Sequence, residues 1–334
     1  MQYKSTKGYT GTGQIGMLLL FIGAGLILSV ILQLVMMLQM MPPGVSVVNM
    51  QEEMEKVLLD PHHVNAIRFM QVFSTLLMFF LPAVAYSWVC NGKQPQWLGF
   101  NRHFNVFQVM LGFMIIFSAN IMAGPVQDLS ENITSHFPSI HQMAQNMEDL
   151  YNRQVGALSH INGVGDLAMA IVIMAFFPAL FEELFFRGAL QSLLVRWWQK
   201  PAIAILVTSI IFSLIHFSIF LFLSRLILGI VLGWMFYETK NIWVNTIAHF
   251  LNNSIAVFQM YFLSSGKEKI DVSKLDPKID WWMGLIALVV VVFLFKILKK
   301  YSEKPTSEIQ MEENAIYKKE NIHLPFGNND STLN

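Results

Sequence analysis

The chain has one cysteine, Cys90, in 334 residues. A lone cysteine forms no intrachain disulfide and completes no multi-cysteine metal site. Charge is scarce as well: Asp, Glu, Lys and Arg make up 13% of the sequence, where a soluble domain carries roughly 25%. Lys+Arg and Asp+Glu number 22 each, so there is no basic excess to hold nucleic acid by counterion release. The strings HExxH and GxSxG are missing, which removes the usual zinc-protease and serine-hydrolase patterns. What is abundant is apolar: 54% of residues are hydrophobic, with 27 Phe and 21 Met, and mean hydropathy is +0.49. That composition excludes a disordered chain and points to a protein whose solvent is lipid.

A membrane helix needs about 20 mostly apolar residues. Stretches of that kind, about eight in all, lie near 15–41, 67–90, 106–123, 167–197, 202–223, 226–237, 242–262 and 281–298. They predict an all-α, polytopic membrane protein. Lys4, Lys7, Lys93, Arg102, Arg196, Lys200, Lys240, Lys296, Lys299, Lys300 and Lys304 fall in alternate connections. The positive-inside rule therefore places both termini in the cytoplasm. The outer 126–166 loop carries Asp128, Glu131, Glu148, Asp149 and Asp166 against Arg153. Only the 264–280 connection, with Lys267, Lys269, Lys274 and Lys278, runs against this pattern. Short amphipathic helices are expected in the 42–66 and 126–166 loops. The chain divides into N-terminal helices and outer loops (1–164), a core (165–262), a last loop and span (263–300), and a polar tail (301–334) expected to be disordered.

The charges that escape the loops carry the information. The fourth stretch reads Pro178-Ala-Leu-Phe-Glu182-Glu183-Leu-Phe-Phe-Arg187-Gly188. Placing an ionisable side chain at the bilayer centre costs about 2.5–3.5 kcal/mol, so such groups mark a bundle interior, a wet cavity and a function. Glu183 and Arg187 are four apart and can pair on one helix face. A charge-swapped double variant should then recover folding. Glu182 is rotated about 100° away and is left for another task. Phe212-Ser-Leu-Ile-His216 and His249-Phe-Leu-Asn252-Asn253 place imidazoles and an amide in two further stretches. Together these groups suffice for peptide hydrolysis. Glu182 and His216 could polarise a water, and His249 and Asn253 could donate to an oxyanion. Alternatively Glu182, His216 and His249 could hold zinc.

Glu182-Glu183-x-x-x-Arg187, Phe212-x-x-x-His216 and His249-x-x-x-Asn253 resemble, in order, the three motifs of the CPBP family, the CAAX-protease and bacteriocin-processing proteins also called Abi. The resemblance covers about residues 165–260. It implies an intramembrane endopeptidase acting on a membrane-associated or lipid-modified protein or peptide. It also implies that Glu182 and His216 activate water, that His249 and Asn253 form the oxyanion site, and that Glu183 and Arg187 organise it. The glutamate mechanism that the family favours needs no cofactor; zinc is the alternative. The bilayer is the implied environment, in a bacterial cytoplasmic membrane, with no nucleic-acid partner and an oligomeric state left open. Two other classes compete: a proton-coupled transporter using Glu182, Glu183 and His216 as a relay, and a non-catalytic immunity or scaffold protein. Carriers commonly interrupt helices in both halves, whereas the polar signal here is confined to the second half, which favours the enzyme.

Other features read as structure. His62, His63, His136, His141 and His160 lie in loops at spacings that suit no helical metal face. Gly163-Val164-Gly165-Asp166 spells the GxGD string of aspartyl intramembrane proteases, but no facing stretch offers a second Asp. Asn252, beside Asn253, points elsewhere and is expected to pack between helices.

Overall fold

The computed structural model describes residues 3–103, 105–158, 161, 163–264 and 278–320. His160, Lys267, Lys269, Lys274 and residues 321–334 lie outside them. The chain runs as helices, with no β-strand among the described residues. They are α1 (Gly11–Met40), α2 (Met50–Leu59), α3 (Pro61–Cys90), α4 (Val106–Ser135) and α5 (Pro138–Leu158). The second half adds α6 (Gly163–Trp198), α7 (Pro201–Leu214), α8 (Phe222–Thr239), α9 (Ile242–Ser264) and α10 (Trp281–Lys319). Each apolar stretch read from the sequence contains a helix, but the fifth, read as 202–223, is helical only to Leu214 before a turn; six helices are long and apolar enough to cross a bilayer. The protein is an all-α, multi-pass membrane protein. The amphipathic helices expected in the two long loops are α2 and α5.

Burial follows the demands of a lipid solvent. On α1, Leu19, Leu20, Ile27 and Leu28 face outward while Leu18, Gly25 and Ser29 face the bundle. Gly25 is there because α1 lies directly on α3: a Cβ would stand 2.3 Å from the Leu77 carbonyl oxygen. α6 is central. Its Phe181, Leu184, Phe185, Phe186 and Leu193 pack with Leu18, Phe79, Tyr86 and Phe212. A second core joins α4, α8, α9 and α10 through Ile115, Ile116, Leu232, Met235, Val244 and Leu294.

α6 owes its length to two widened turns. Over Ile171–Phe176 and Leu184–Gln191 the hydrogen bonds reach back five residues. Such π-turns are rare and concentrate at functional sites. The first precedes Pro178 and gives its ring room against the carbonyl four residues back, so the helix bends without breaking. α3 does the same, with a wide turn at Leu76–Phe80 ahead of Pro82.

Two sequence expectations are corrected. The 301–334 segment is not a disordered tail throughout, because α10 continues as one helix to Lys319 with Pro305 inside it. Tertiary docking supplies what the polar sequence does not advertise. Ser302, Ile309, Glu313 and Tyr317 turn inward. Gln108 Nε2 donates to Ser302 Oγ at 3.0 Å, and Arg196 Nη2 to Glu313 at 3.1 Å. The Arg196 guanidinium lies 5.1 Å over Trp97, whose ring meets Tyr317 at 5.4 Å. The second correction concerns buried charge, which is not confined to α6. Arg68, fully buried on α3, pairs with Asp166 at 2.6 Å. The aspartate of the GxGD string is therefore one half of a structural ion pair.

The extension of α10 joins the other basic connections at one end of the bundle. Lys7 N–H reaches the Cys90 carbonyl, Asn101 the Lys240 carbonyl, and Thr306 the Glu238 carbonyl. His103 stands between Glu308 (Nδ1, 2.9 Å) and Glu312 (Nε2, 2.8 Å). Both nitrogens must donate, so the geometry is that of an imidazolium. The hydrogen bond to Glu312 holds His103 above its ordinary value. A raised native value stabilises fully below about pH 6.5 and is lost as pH rises through that raised value. A spin label at Met311 is therefore expected to gain mobility between mildly acidic and alkaline pH, and His103→Gln to remove that dependence. Equal mobility across the range in wild type would show that the clamp does not hold the extension.

Candidate active site

Four helices, α6 to α9, and the turn that follows α7 meet at the middle of α6. α6 supplies Glu182, Glu183 and Arg187. α9 supplies Asn245, His249 and Asn253, spaced four apart and so on one face. The end of α7 supplies Phe212 and His216, and α8 lends the Gly229 and Leu232 carbonyls.

These groups form two layers. In the closed layer the Glu183 carboxylate is fully buried and accepts from three donors. Arg187 Nη1 (2.9 Å) and His249 Nδ1 (3.0 Å) reach Oε1, and Asn245 Nδ2 (3.1 Å) reaches Oε2. Two of the donors are themselves held by other partners. Arg187 Nη2 donates to the Gly229 carbonyl at 3.2 Å, and its guanidinium stacks 4.8 Å over Phe212. Asn245 Nδ2 also donates to the Leu232 carbonyl at 2.7 Å. One turn further, Gln191 Nε2 reaches the Gly233 carbonyl at 2.8 Å. α8 must come close for these bonds to form. A Cβ at Gly229 would meet Ser209 at 3.0 Å, and one at Gly233 would meet Gln191 and Ile205 at 2.8 Å. Gly229 and Gly233 make a small-xxx-small stripe, the membrane route to close helix contact. On the wide turn of α6 the Arg187 carbonyl accepts from both the backbone N–H and Oγ (3.0 Å) of Ser192.

In the open layer Glu182, His216 and Asn253 are half-buried. Glu182 and Asn253 make no hydrogen bond to another described residue. His216 Nδ1 donates to the Phe212 carbonyl at 2.7 Å, and its ring lies 4.7 Å from that of Phe212. A carbonyl only accepts, so the proton sits on Nδ1 and Nε2 keeps its lone pair. The Glu182 carboxylate and His249 lie close enough to act electrostatically on His216. Just past His216 the backbone turns sharply. Phe217 adopts φ +47°, a conformation a bulky residue holds only at a cost of order 1–3 kcal/mol. The turn follows directly on the end of α7 at Leu214.

The structure thus sets Glu182 and His249 within electrostatic reach of His216 and ties His249 to Glu183, so Glu183 and Arg187 orient more than each other. Asn252 is a packing residue, as expected, held by the amide of Asn120 on α4. Three participants were missed from sequence. Asn245 was legible, since it precedes His249 by the same four residues that separate His249 from Asn253. The Gly229–Gly233 stripe was legible by the same counting. Arg225 was passed over because it falls between two apolar windows, although α8 begins before it at Phe222.

A zinc site would need Glu182, His216 and His249 as one donor set. Among the described residues no three His, Cys, Asp or Glu side chains stand where they could hold one metal ion.

Residues 165–255 match the family model described as type II CAAX prenyl endopeptidase Rce1-like. The match runs from α6 into α9 and contains all three motifs. No curated protein and no solved structure matches the chain.

Proposed function

From the Rce1-like CAAX prenyl endopeptidase domain that residues 165–255 form, we propose that this chain is a glutamate-type intramembrane endopeptidase whose reacting groups are Glu182, His216, His249 and Asn253. The domain is, at the level of its family, that of an intramembrane endopeptidase; the residue roles are the proposal. Its substrate is the chain of a membrane-associated or lipid-modified protein or peptide. The observation that carries the reading is the division of labour between adjacent carboxylates: Glu183 is saturated by three donors, while Glu182 has none among the described residues and is half-buried in the open layer.

Water held between Glu182 and His216 Nε2 attacks the scissile carbonyl carbon, and its proton passes to Glu182. The carbonyl electrons move to oxygen, where His249 Nε2–H and Asn253 Nδ2–H donate. In this step His249 donates from both ring nitrogens, Nδ1–H to Glu183 and Nε2–H to the oxyanion. Collapse of the tetrahedral intermediate breaks the C–N bond, and Glu182 returns its proton to the leaving amine. General acid–base transfer contributes roughly 10²–10⁴-fold, and each oxyanion donor about 10²–10³-fold.

The test is reconstitution in proteoliposomes with a quenched-fluorescence peptide library. Cleavage is expected, and it is expected to survive exhaustive chelation. Loss on chelation with recovery on zinc would overturn the metal-free step. Solute or proton movement without any cleavage would overturn the protease reading itself.

A further inference from the structure

Arg225 is a cation that the catalytic scheme leaves unused. It sits in the first turn of α8, where the helix dipole disfavours positive charge. Among the described residues it forms no ion pair. Its guanidinium has two contacts instead. Nη1 donates to the His216 carbonyl at 3.3 Å, and the group lies 5.5 Å over the Tyr151 ring of α5. The neighbouring Glu148 carboxylate accepts from Ser218 Oγ at 3.3 Å. Arg225 is half-buried, on the side of the site where Glu182, His216 and Asn253 are also accessible. Toward the other end of the bundle Arg187, Gln191, Asn245 and Thr246 are buried.

A guanidinium has five N–H groups in a planar fork that matches a carboxylate. One is spent on a backbone carbonyl. The fork is fixed by that bond and by the aromatic ring, so little ordering remains to be done on binding. An extended peptide advances about 3.3 Å per residue. An anion on this fork therefore lies within a few residues of a carbonyl set against His216. At membrane depth a carboxylate needs such a partner. Resting on the protease reading, we infer that Arg225 is a substrate-binding residue that receives a carboxylate of the peptide close to the scissile bond. The carboxylate is either the chain terminus or an acidic side chain.

Three matched quenched peptide libraries in proteoliposomes test this: one with free C-terminal carboxylates, one amidated, and one amidated with a single Asp scanned through every position. Wild type is expected to favour an anionic library over the neutral one by at least about tenfold in kcat/KM, the scale of a charge-assisted hydrogen bond. The favoured library identifies the source. In Arg225→Gln that ratio should fall below about twofold, and in Arg225→Lys it should be intermediate, since a point charge lacks the fork. A purely structural brace of the His216 turn would lower cleavage of all libraries together and leave the ratio intact. A ratio retained in Arg225→Gln, or a wild type that treats all libraries alike, overturns the inference while the protease reading stands. A wild type that cleaves none overturns both.

Discussion

Glu182→Gln is expected to yield a folded protein that cleaves peptides roughly 10²–10⁴-fold more slowly than wild type. The amide keeps the size and polarity of the carboxyl group but takes no proton from water and returns none to the amine. Stability should be little moved, because Glu182 makes no hydrogen bond to another described residue. The contrast is what makes the experiment informative: a residue that only packs helices would lose stability before it lost rate. Single-turnover cleavage together with thermal melting in the same detergent separates the two. A variant that retains cleavage within about tenfold of wild type removes Glu182 from the proton-transfer step.

The opposite signature is expected one residue later. Glu183→Ala or Arg187→Ala leaves an uncompensated buried charge, which costs about 3–5 kcal/mol. Folded yield and Tm should fall sharply in both. The charge-swapped double variant discriminates between two accounts. If the residues formed only an intrahelical pair, exchange would restore it. In the structure Glu183 also accepts from His249 and Asn245. A guanidinium at 183 would face two donors, and a carboxylate at 187 would face the Gly229 carbonyl and the Phe212 ring. The swap is therefore expected to stay as poorly folded as either single change. Recovery to near wild-type Tm would show that the pair is self-sufficient and that the His249 and Asn245 bonds contribute little.

Much of this was legible from residues alone, and the reasons are physical. An apolar stretch in a chain with so few charges has one low-energy solution in lipid, a helix with its backbone bonded internally. All the apolar stretches were found for that reason. Glu182, Glu183 and Arg187 were visible because charge is conspicuous in such a stretch. The extension of α10 was not visible, because its helicity comes from Glu313 meeting Arg196 and Tyr317 meeting Trp97, partners more than a hundred residues away in sequence. Pro305 inside a polar segment argues locally for the opposite. Arg68 and Arg225 were overlooked at the edges of hydropathy windows, where a charge looks like a loop residue until the helix boundary is known. That Glu183 rather than Glu182 holds His249 could not be read from spacing. It depends on how α9 is rotated against α6, which the Gly229 and Gly233 contacts and the second core determine.

The shortness of α7 has a consequence for the supply of the reaction. Its 14 residues rise about 21 Å, against a hydrocarbon core of about 30 Å. The turn that follows, with His216 at its start, is irregular backbone at membrane depth. Such backbone is tolerated only when enclosed by protein or bathed by water. Arg225 and Ser213 satisfy the His216 and Phe222 carbonyls, and Ser218 the Leu221 N–H; the exposed Phe217 lies between them. A helix that crossed the whole bilayer would bury this imidazole in a dry seam. By stopping early, α7 carries His216 to a depth where the chain's own polar backbone invites solvent inward, which is where the proposed hydrolysis needs its water.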